Sequence, residues 1–452
     1  MATLFGTDGI RGPVGTYPMT EQGIRDVANA IARFFLKHRN IRQVLIARDT
    51  RASGELFERA AGEGVIAAGS DAAVAGVLPT PGAAYLCRRH GTGGIVLSAS
   101  HNPAGDNGIK VILENGQKAS SADEALIERM LADRAEFSDS LIDEDLRGTV
   151  IHAAAWTEEY AAFLEENCTS AAREWLSSHA VVLDCANGAA SSLGGTLLAR
   201  LGARAELLGA SPDGKNINRE CGATHPGAIV KATVDHKAAA GFAFDGDADR
   251  VIAVDENGAL VDGDRIMLIL AGYLKRRGKL LRGTVVATDY SNLGLRQALS
   301  ALGCSLVTVP NGDRHVAERM RALGCALGGE QSGHIVLMPE HTTGDGLLTM
   351  LMLLNAMADS GKPLSALHAG FHEAPQVLLS VVVREKRELA SLAGVQRAMR
   401  DACEKLRESG RVVVRYSGTE MVCRVMVEAP SKGAAERWAR TIAAEVSREV
   451  GR

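Results

Sequence analysis

Aromatic residues make up only 4% of the chain, which argues against a platform for stacking bases or sugar rings. An excess of one charge is missing too. The 50 basic residues meet 54 acidic ones for a net charge of −4, no run of five like charges stands out, and neither nucleic acid nor an anionic membrane finds an electrostatic footprint. No apolar stretch approaches a membrane span free of charge. The opening Met1-Ala2-Thr3-Leu4-Phe5-Gly6 lacks the basic and apolar regions of a secretory leader, so the expectation is a soluble, cytoplasmic protein. The eight cysteines include no C-x-x-C pair. Scattered as they are, they read as reduced thiols in or near the core, and neither a zinc site nor a disulfide framework is supported.

At 452 residues the chain is too long for one hydrophobic core, and its 46% hydrophobic content supplies three or four. Helix and strand periods alternate from the start. Thr20 is a candidate N-cap for a helix carrying Ile24, Val27, Ala28, Ile31 and Phe35 at helical spacing. Strands are expected at Val44 to Ala47, which delivers Asp49 and Arg51 into a loop, and at Ile95 to Leu97. The pattern restarts near Ile151, runs through a strand at Ala180 to Leu183, and ends in Phe242-Ala243-Phe244 before an acidic loop and a hairpin turn, Asp255-Glu256-Asn257-Gly258. A last segment reads as a strand, a helix, two central strands and a final helix. The fold class is α/β: three successive α/β domains with mixed sheets, 1–152, 153–256 and 257–368, and a smaller C-terminal α+β domain, 369–452.

Four loops carry chemistry. Ser98-Ala99-Ser100-His101-Asn102-Pro103 follows the apolar run Gly94 to Leu97, placing a serine at a strand end, where open α/β sheets keep their active groups. In Asp245-Gly246-Asp247-Ala248-Asp249-Arg250 the three alternating carboxylates converge and repel unless a cation neutralises them. Oxygen ligands alone point to a hard ion, Mg²⁺ before Ca²⁺ where few protein ligands are present. An EF-hand would need glycine where Arg250 stands, and a D-x-D-x-T/V phosphatase would need a hydroxyl or valine where Asp249 stands. Glu330, Ser332 and His334, between glycines, offer acceptors and donors for sugar hydroxyls. Arg415, Ser417, Gly418, Thr419 and Arg424 combine cationic forks, hydroxyls and backbone N–H groups, which suit a phosphate dianion.

In this order and spacing the loops resemble those of the α-D-phosphohexomutase superfamily over essentially the whole chain: a phosphoserine loop, a metal loop, a sugar loop and a phosphate loop. Within it the sequence is most similar to the bacterial phosphoglucosamine mutases. That similarity rests on Phe5 to Gly12, Asp106 to Lys110, Asp213 to Asn218, Cys221 to Pro226, Gly312-Asp313-Arg314, Gly329 to Ile335, Thr342 to Gly346, and Gly418. Tyr416 and Met421 depart from the pattern, and neither position supplies a functional group.

The resemblance implies a phosphoserine at Ser100 and phosphoryl movement between O6 and O1 of a hexosamine. One Mg²⁺ per chain would be held by Asp245, Asp247, Asp249 and the Ser100 phosphate. Arg11 and Lys110 would flank that phosphate, Lys110 or a neighbour as general acid/base, with His101 orienting the loop. Glu330, Ser332, His334 and Arg250 would hold the sugar, and the Arg415 loop the phosphate that is not reacting. Glucosamine or glucose 1,6-bisphosphate is the implied intermediate and activator, and the pathway is UDP-N-acetylglucosamine synthesis. The partner is a small hexosamine phosphate, with no nucleic acid and no membrane; a homodimer is allowed. A phosphomannomutase/phosphoglucomutase of the same architecture is the alternative. A serine hydrolase is disfavoured because there is no G-x-S-x-G elbow and because adjacent residues rarely set an imidazole on the serine's own hydroxyl. A non-catalytic sugar-phosphate sensor would have been favoured by loss of the serine or of an acidic ligand, and both are present.

Overall fold

Sheets form where the apolar runs fall. In the first, Gly93–Leu97 is buried along its whole length and pairs in parallel with Gln43–Arg48 and antiparallel with Asp106–Ile112. Asp71–Val77 continues the parallel side, Val150–His152 closes it, and Ile10–Pro13 closes the opposite edge beside Asp106–Ile112. The computed structural model describes residues 4–6, 8–132, 147–417 and 420–452. Helix Glu21–Phe34 starts as the sequence suggests, with the Thr20 hydroxyl accepting the Gly23 N–H at 3.1 Å. Its apolar face buries Ile24, Val27, Ala28 and Ile31 against Ile46, Ile95 and Leu97 in one cluster.

The second sheet orders Leu260–Val261, Val251–Asp255, Ala240–Phe244, Ala180–Asp184 and Arg204–Leu208. Ala240–Phe244 and Val251–Asp255 are antiparallel and wholly buried, so the acidic loop is the turn between two central strands. The Asp255 to Gly258 hairpin forms, with Asp255 Oδ1 accepting the N–H groups of Asn257 and Ala259, both at 2.9 Å. In the third sheet Thr284–Thr288 runs parallel to Leu327–Gly329, which pairs antiparallel with Ile335–Leu337. Residues Glu330 to His334 are therefore the turn of a short hairpin.

The chain divides into two compact units, one of residues 1–288 and 309–368, the other of 289–308 and 369–452. Specific bonds tie the excursion 289–308 to the C-terminal chain. Asn292 donates to the Ala374 carbonyl at 3.0 Å and accepts its N–H at 2.8 Å, and Glu428 accepts the Leu293 N–H at 3.2 Å. In this second unit Val422–Glu428 lies between Gln376–Val382 and Arg411–Tyr416, antiparallel to both. Only Val422–Glu428 is central; Arg411–Tyr416, expected to be central as well, is an edge, because Gln376–Val382 takes the other side. Helices Ala393–Leu406 and Lys432–Val450 cover the sheet with Val395, Ala402, Ala439, Ile442 and Val446. No described helix is long and apolar enough to cross a membrane. All eight cysteines are free, and seven are buried, with Cys403 exposed.

Candidate active site

Strand register brings the first groups together. Arg48 pairs with Leu97, so the residues after them, Asp49 and Ser98, leave the sheet side by side and Ser98 Oγ donates to Asp49 Oδ2 at 2.6 Å. Ser98 Oγ then accepts the Ser100 N–H at 2.9 Å. Ser100 itself sits at φ +51°, a left-handed conformation that costs a non-glycine residue about 1 kcal/mol or more. Its carbonyl is held from two sides, by Arg51 Nη2 at 3.0 Å and Asn218 Nδ2 at 2.9 Å, which keeps the strained form. Arg51 also bonds the carbonyls of Asn102, Pro103 and Asp106 and pairs with Asp49 at 2.8 Å. The buried Ser100 Oγ points at the acidic loop and donates to Asp245 Oδ2 at 2.8 Å.

The acidic loop is pinned by three helix starts. The carbonyls of Gly246, Asp247 and Ala248 accept the N–H groups of Ala189 at 2.8 Å, Thr80 at 3.0 Å and Gly346 at 3.0 Å. These residues open helices Ala190–Arg200, Thr80–His90 and Gly346–Ser360, so otherwise orphaned donors are satisfied by the loop's carbonyls and three positive dipole ends meet the acidic loop. Asp245, Asp247 and Asp249 are buried, with one ligand atom of each within 4.8 Å of the others. Oδ1 of Asp247 and Oδ1 of Asp249 have no hydrogen-bond partner among the described residues. Buried carboxylate oxygens left in that state are costly, and a hard cation with oxygen ligands satisfies them. The residues fit a metal ion.

Basic groups offset part of the charge. Lys110 Nζ, buried, lies 2.7 Å from Asp247 Oδ2, 3.1 Å from Asp8 Oδ2 and 3.5 Å from Asp249 Oδ2. Lys118 bridges Asp8, at 2.7 Å, and Asp313. Burial would lower the Lys110 pKa, but Asp247, Asp8 and Asp249 outweigh it and raise it. Lys110 therefore stays protonated and serves as a fixed positive charge beside the carboxylates, too firmly protonated for a base and too weak for a ready acid. Burial raises the Asp249 carboxyl, yet Lys110 and His334 hold it well below the usual range. Asp245 goes the other way, pushed up to about 8 by burial and then by Asp249 and Asp247. Arg11 pairs with Asp8. His101 Nδ1 does come within 3.4 Å of Ser100 Oγ despite being adjacent in the chain, and burial, followed by Arg250 and Arg11, lowers its pKa and keeps the ring neutral.

The Glu330 to His334 turn is split in its orientation. Ser332 is exposed and donates to Glu330 Oε2 at 3.3 Å, while Glu330 Oε1 accepts the Gly312 N–H at 3.2 Å. His334 instead turns inward: Nδ1 is 3.5 Å from Asp249 Oδ2 and Nε2 accepts the Gly344 N–H at 3.0 Å. Arg250 anchors Asp245 Oδ1 through its backbone N–H at 3.2 Å, and its Nε stands 3.8 Å from Asp249 Oδ1.

In the second unit Arg415 and Arg424 are cross-strand partners, a like-charged pair that is destabilising unless an anion lies between them. Arg415 stacks 4.5 Å over the Tyr290 ring, Arg424 pairs with Glu420 at 3.1 Å, and Ser417 Oγ accepts the Glu420 N–H at 3.3 Å. Gly418 and Thr419 lie outside the described residues. Sequence reasoning passed over Lys386, which donates to the Ser417 carbonyl at 2.6 Å. It also gave no role to Arg51, Asn218, Thr80, Lys118 or Asp313 in the first unit. Asp313 and Asn218 stood inside motifs that carried the resemblance, which was the available signal.

Four models of the phosphoglucomutase/phosphomannomutase family match: alpha/beta/alpha domain I over residues 2–137, domain II over 158–258, domain III over 262–374 and the C-terminal domain over 378–445. The phosphoglucosamine mutase of Moorella thermoacetica is 45% identical over 433 residues, 96% of each chain. That of Anaeromyxobacter dehalogenans is 43% identical over 459 residues, 99% of each. The chain belongs to the phosphoglucosamine mutase family. Membership makes it an isomerase-class phosphotransferase of the α-D-phosphohexomutases. Solved structures share its fold. A phosphoglucomutase/phosphomannomutase family protein from Burkholderia thailandensis superposes with a TM-score of 0.81 at 23% identity, covering 99% of this chain and 97% of that one. The N-acetylphosphoglucosamine mutase of Aspergillus fumigatus, in complex with GlcNAc-6P and magnesium, gives 0.66 at 18%, covering 98% and 95%.

Proposed function

We propose that this phosphohexomutase interconverts glucosamine 6-phosphate and glucosamine 1-phosphate, with Ser100 as the phosphoserine and a hexosamine 1,6-bisphosphate as intermediate and activator. The observation that carries the reading is Ser100 Oγ, buried, on a left-handed backbone, 2.8 Å from Asp245 Oδ2 at the edge of three carboxylates. A hydrolytic serine gives its hydroxyl proton to a base; Ser100 Oγ instead donates to Asp245 Oδ2 at 2.8 Å and meets the His101 ring only at 3.4 Å, and a phosphorylated serine beside carboxylates needs a shared cation. One Mg²⁺ held by Asp245, Asp247, Asp249 and a Ser100 phosphate oxygen would supply Lewis-acid neutralisation of the transferred group.

The residues divide the remaining work. The Ser100 Oγ–P bond breaks as a bond from phosphorus to the sugar oxygen forms; the sugar hydroxyl loses a proton and Ser100 Oγ regains one. Phosphoryl transfer asks chiefly for alignment and charge neutralisation. Arg11 and Lys110 provide fixed positive charge beside the phosphoserine, a neighbour of Lys110 acts as the general acid/base that takes the proton of the sugar hydroxyl and returns one to Ser100 Oγ, and His101 orients the loop. Glu330 and Ser332 take the sugar hydroxyls, and His334 and Arg250 brace them from the carboxylate side. Arg415, Ser417, Gly418, Thr419 and Arg424 bind the phosphate that is not reacting, whichever end carries it. The enzyme is expected to work in the cytoplasm in UDP-N-acetylglucosamine synthesis, and a homodimer is allowed.

The test is mutase activity on glucosamine 6-phosphate with Mg²⁺ and a trace of bisphosphate, for wild type and Ser100→Ala, with intact mass. A phosphate-sized mass on wild type alone, with turnover lost in the variant, is the expected result. Turnover confined to glucose or mannose phosphates would keep the mechanism and move the substrate to a phosphomannomutase/phosphoglucomutase. No phosphate and no turnover would overturn the reading.

A further inference from the structure

Thr80 is the first residue of helix Thr80–His90, is fully buried, and meets Asp247 twice. Its backbone N–H donates to the Asp247 carbonyl at 3.0 Å and its hydroxyl donates to Asp247 Oδ2. The other two helix starts on the acidic loop supply only a backbone N–H each. Lys110 Nζ also takes Oδ2, at 2.7 Å, so every bond the Asp247 carboxylate makes falls on one oxygen. Oδ1 is left buried and without a partner among the described residues. A carboxylate free to rotate about its terminal torsion would share these donors between two equivalent oxygens. The Thr80 hydroxyl, carried by a helix start, meets the same oxygen as Lys110 from a fixed backbone position, a geometry that defines the plane of the carboxylate and turns its second oxygen away from both donors. The helix start is in turn held from behind, where the buried His341 ring contacts the Pro81 carbonyl through Nε2 at 3.0 Å.

We propose that Thr80 is a positioning residue for the divalent cation: it locks the Asp247 carboxylate so that Oδ1, rather than Oδ2, is the ligand. The inference rests on the reading of Asp245, Asp247 and Asp249 as a metal site. Thr80 touches neither the cation nor the phosphoserine. Outer partners that orient a metal ligand are worth about ten- to hundredfold in affinity, and the hydroxyl is the part of Thr80 that performs this task, since its N–H bonds only the backbone.

The experiment is Mn²⁺ binding to the full chain, read as free Mn²⁺ by electron paramagnetic resonance, for wild type, Thr80→Val, Thr80→Ser and Asp247→Asn, with thermal melting of each. Valine keeps the shape and loses the hydroxyl; serine keeps the hydroxyl. Weakening of about ten- to hundredfold in Thr80→Val, with Thr80→Ser close to wild type and all melting alike, is the expected result. If wild type binds and Asp247→Asn does not, while Thr80→Val binds as wild type does, the positioning role is overturned and the metal site stands. If Thr80→Ser is as weak as Thr80→Val, the hydroxyl is not the operative group and the proposal also fails. Wild type that binds no Mn²⁺ overturns the metal site and this role with it.

Discussion

As a carboxylate Asp245 accepts from both sides: the Ser100 hydroxyl on one oxygen and the Arg250 N–H on the other. Burial first, then the charges of Asp249 and Asp247, push its carboxyl up to about 8 in the metal-free protein. Below that pH the group holds a proton that must leave before a hard cation can take the oxygen. Cation affinity is therefore expected to climb about tenfold per pH unit between about pH 6 and pH 7.5 and to level off above about pH 8. Mn²⁺ titrations across that range at constant ionic strength check this, and a flat profile would mean that the Asp245 carboxyl is already ionised throughout it. Spacing made this residue legible, because Asp245, Asp247 and Asp249 alternate within one turn. Asp8, Lys118 and Asp313 were not legible as a network. A salt bridge between residues far apart in the chain leaves no periodic trace, and a buried loop anchor such as Arg51 has the same letters around it as an exposed one.

The acidic loop owes its shape to what abuts it more than to its own sequence. Three helix starts hold three successive carbonyls, and the Ser100 carbonyl approaches so closely that a Cβ on Gly246 would stand 2.5 Å from its oxygen and 2.9 Å from Asn218 Nδ2. Gly246→Ala is expected to push the Ser100 and metal loops apart. Overpacking of this kind costs about 1–3 kcal/mol. Chemical denaturation should report that loss together with weakened Mn²⁺ binding, whereas unchanged binding would mean the two loops are not mutually fixed. At this scale the strands were well anticipated: Ala180–Asp184 extends the expected run by a residue, and Gln43–Arg48 and Gly93–Leu97 contain theirs. The hairpin around Glu330 to His334 was not anticipated, since strands of three residues, Leu327–Gly329 and Ile335–Leu337, are too short to show an alternation.

For the whole molecule, the two compact units keep their chemistry on separate cores. One carries Ser100, the three aspartates and their lysine partners; the other carries Arg415, Ser417 and Arg424 on a three-stranded sheet with its own apolar cluster. Segment 289–308 belongs to the second unit although it interrupts the first, which no restart of pattern could reveal, because the attachment is made by Asn292, Leu293 and the Arg411–Glu428 pair at 2.8 Å. Tyr290 on that segment gives Arg415 its aromatic support. If the arginines serve only to hold the phosphate that is not reacting, their loss is expected to be separable from cation binding. Replacing Arg415 with Gln removes one charge-assisted fork, worth about 1.5–3 kcal/mol, so KM for glucosamine 6-phosphate should rise about ten- to hundredfold. Mn²⁺ affinity should stay within about twofold, as for independent sites. Steady-state kinetics and Mn²⁺ titration on the same preparation decide it. A matching fall in Mn²⁺ affinity would mean that the arginine strand helps to build the metal site and does not simply anchor an anion.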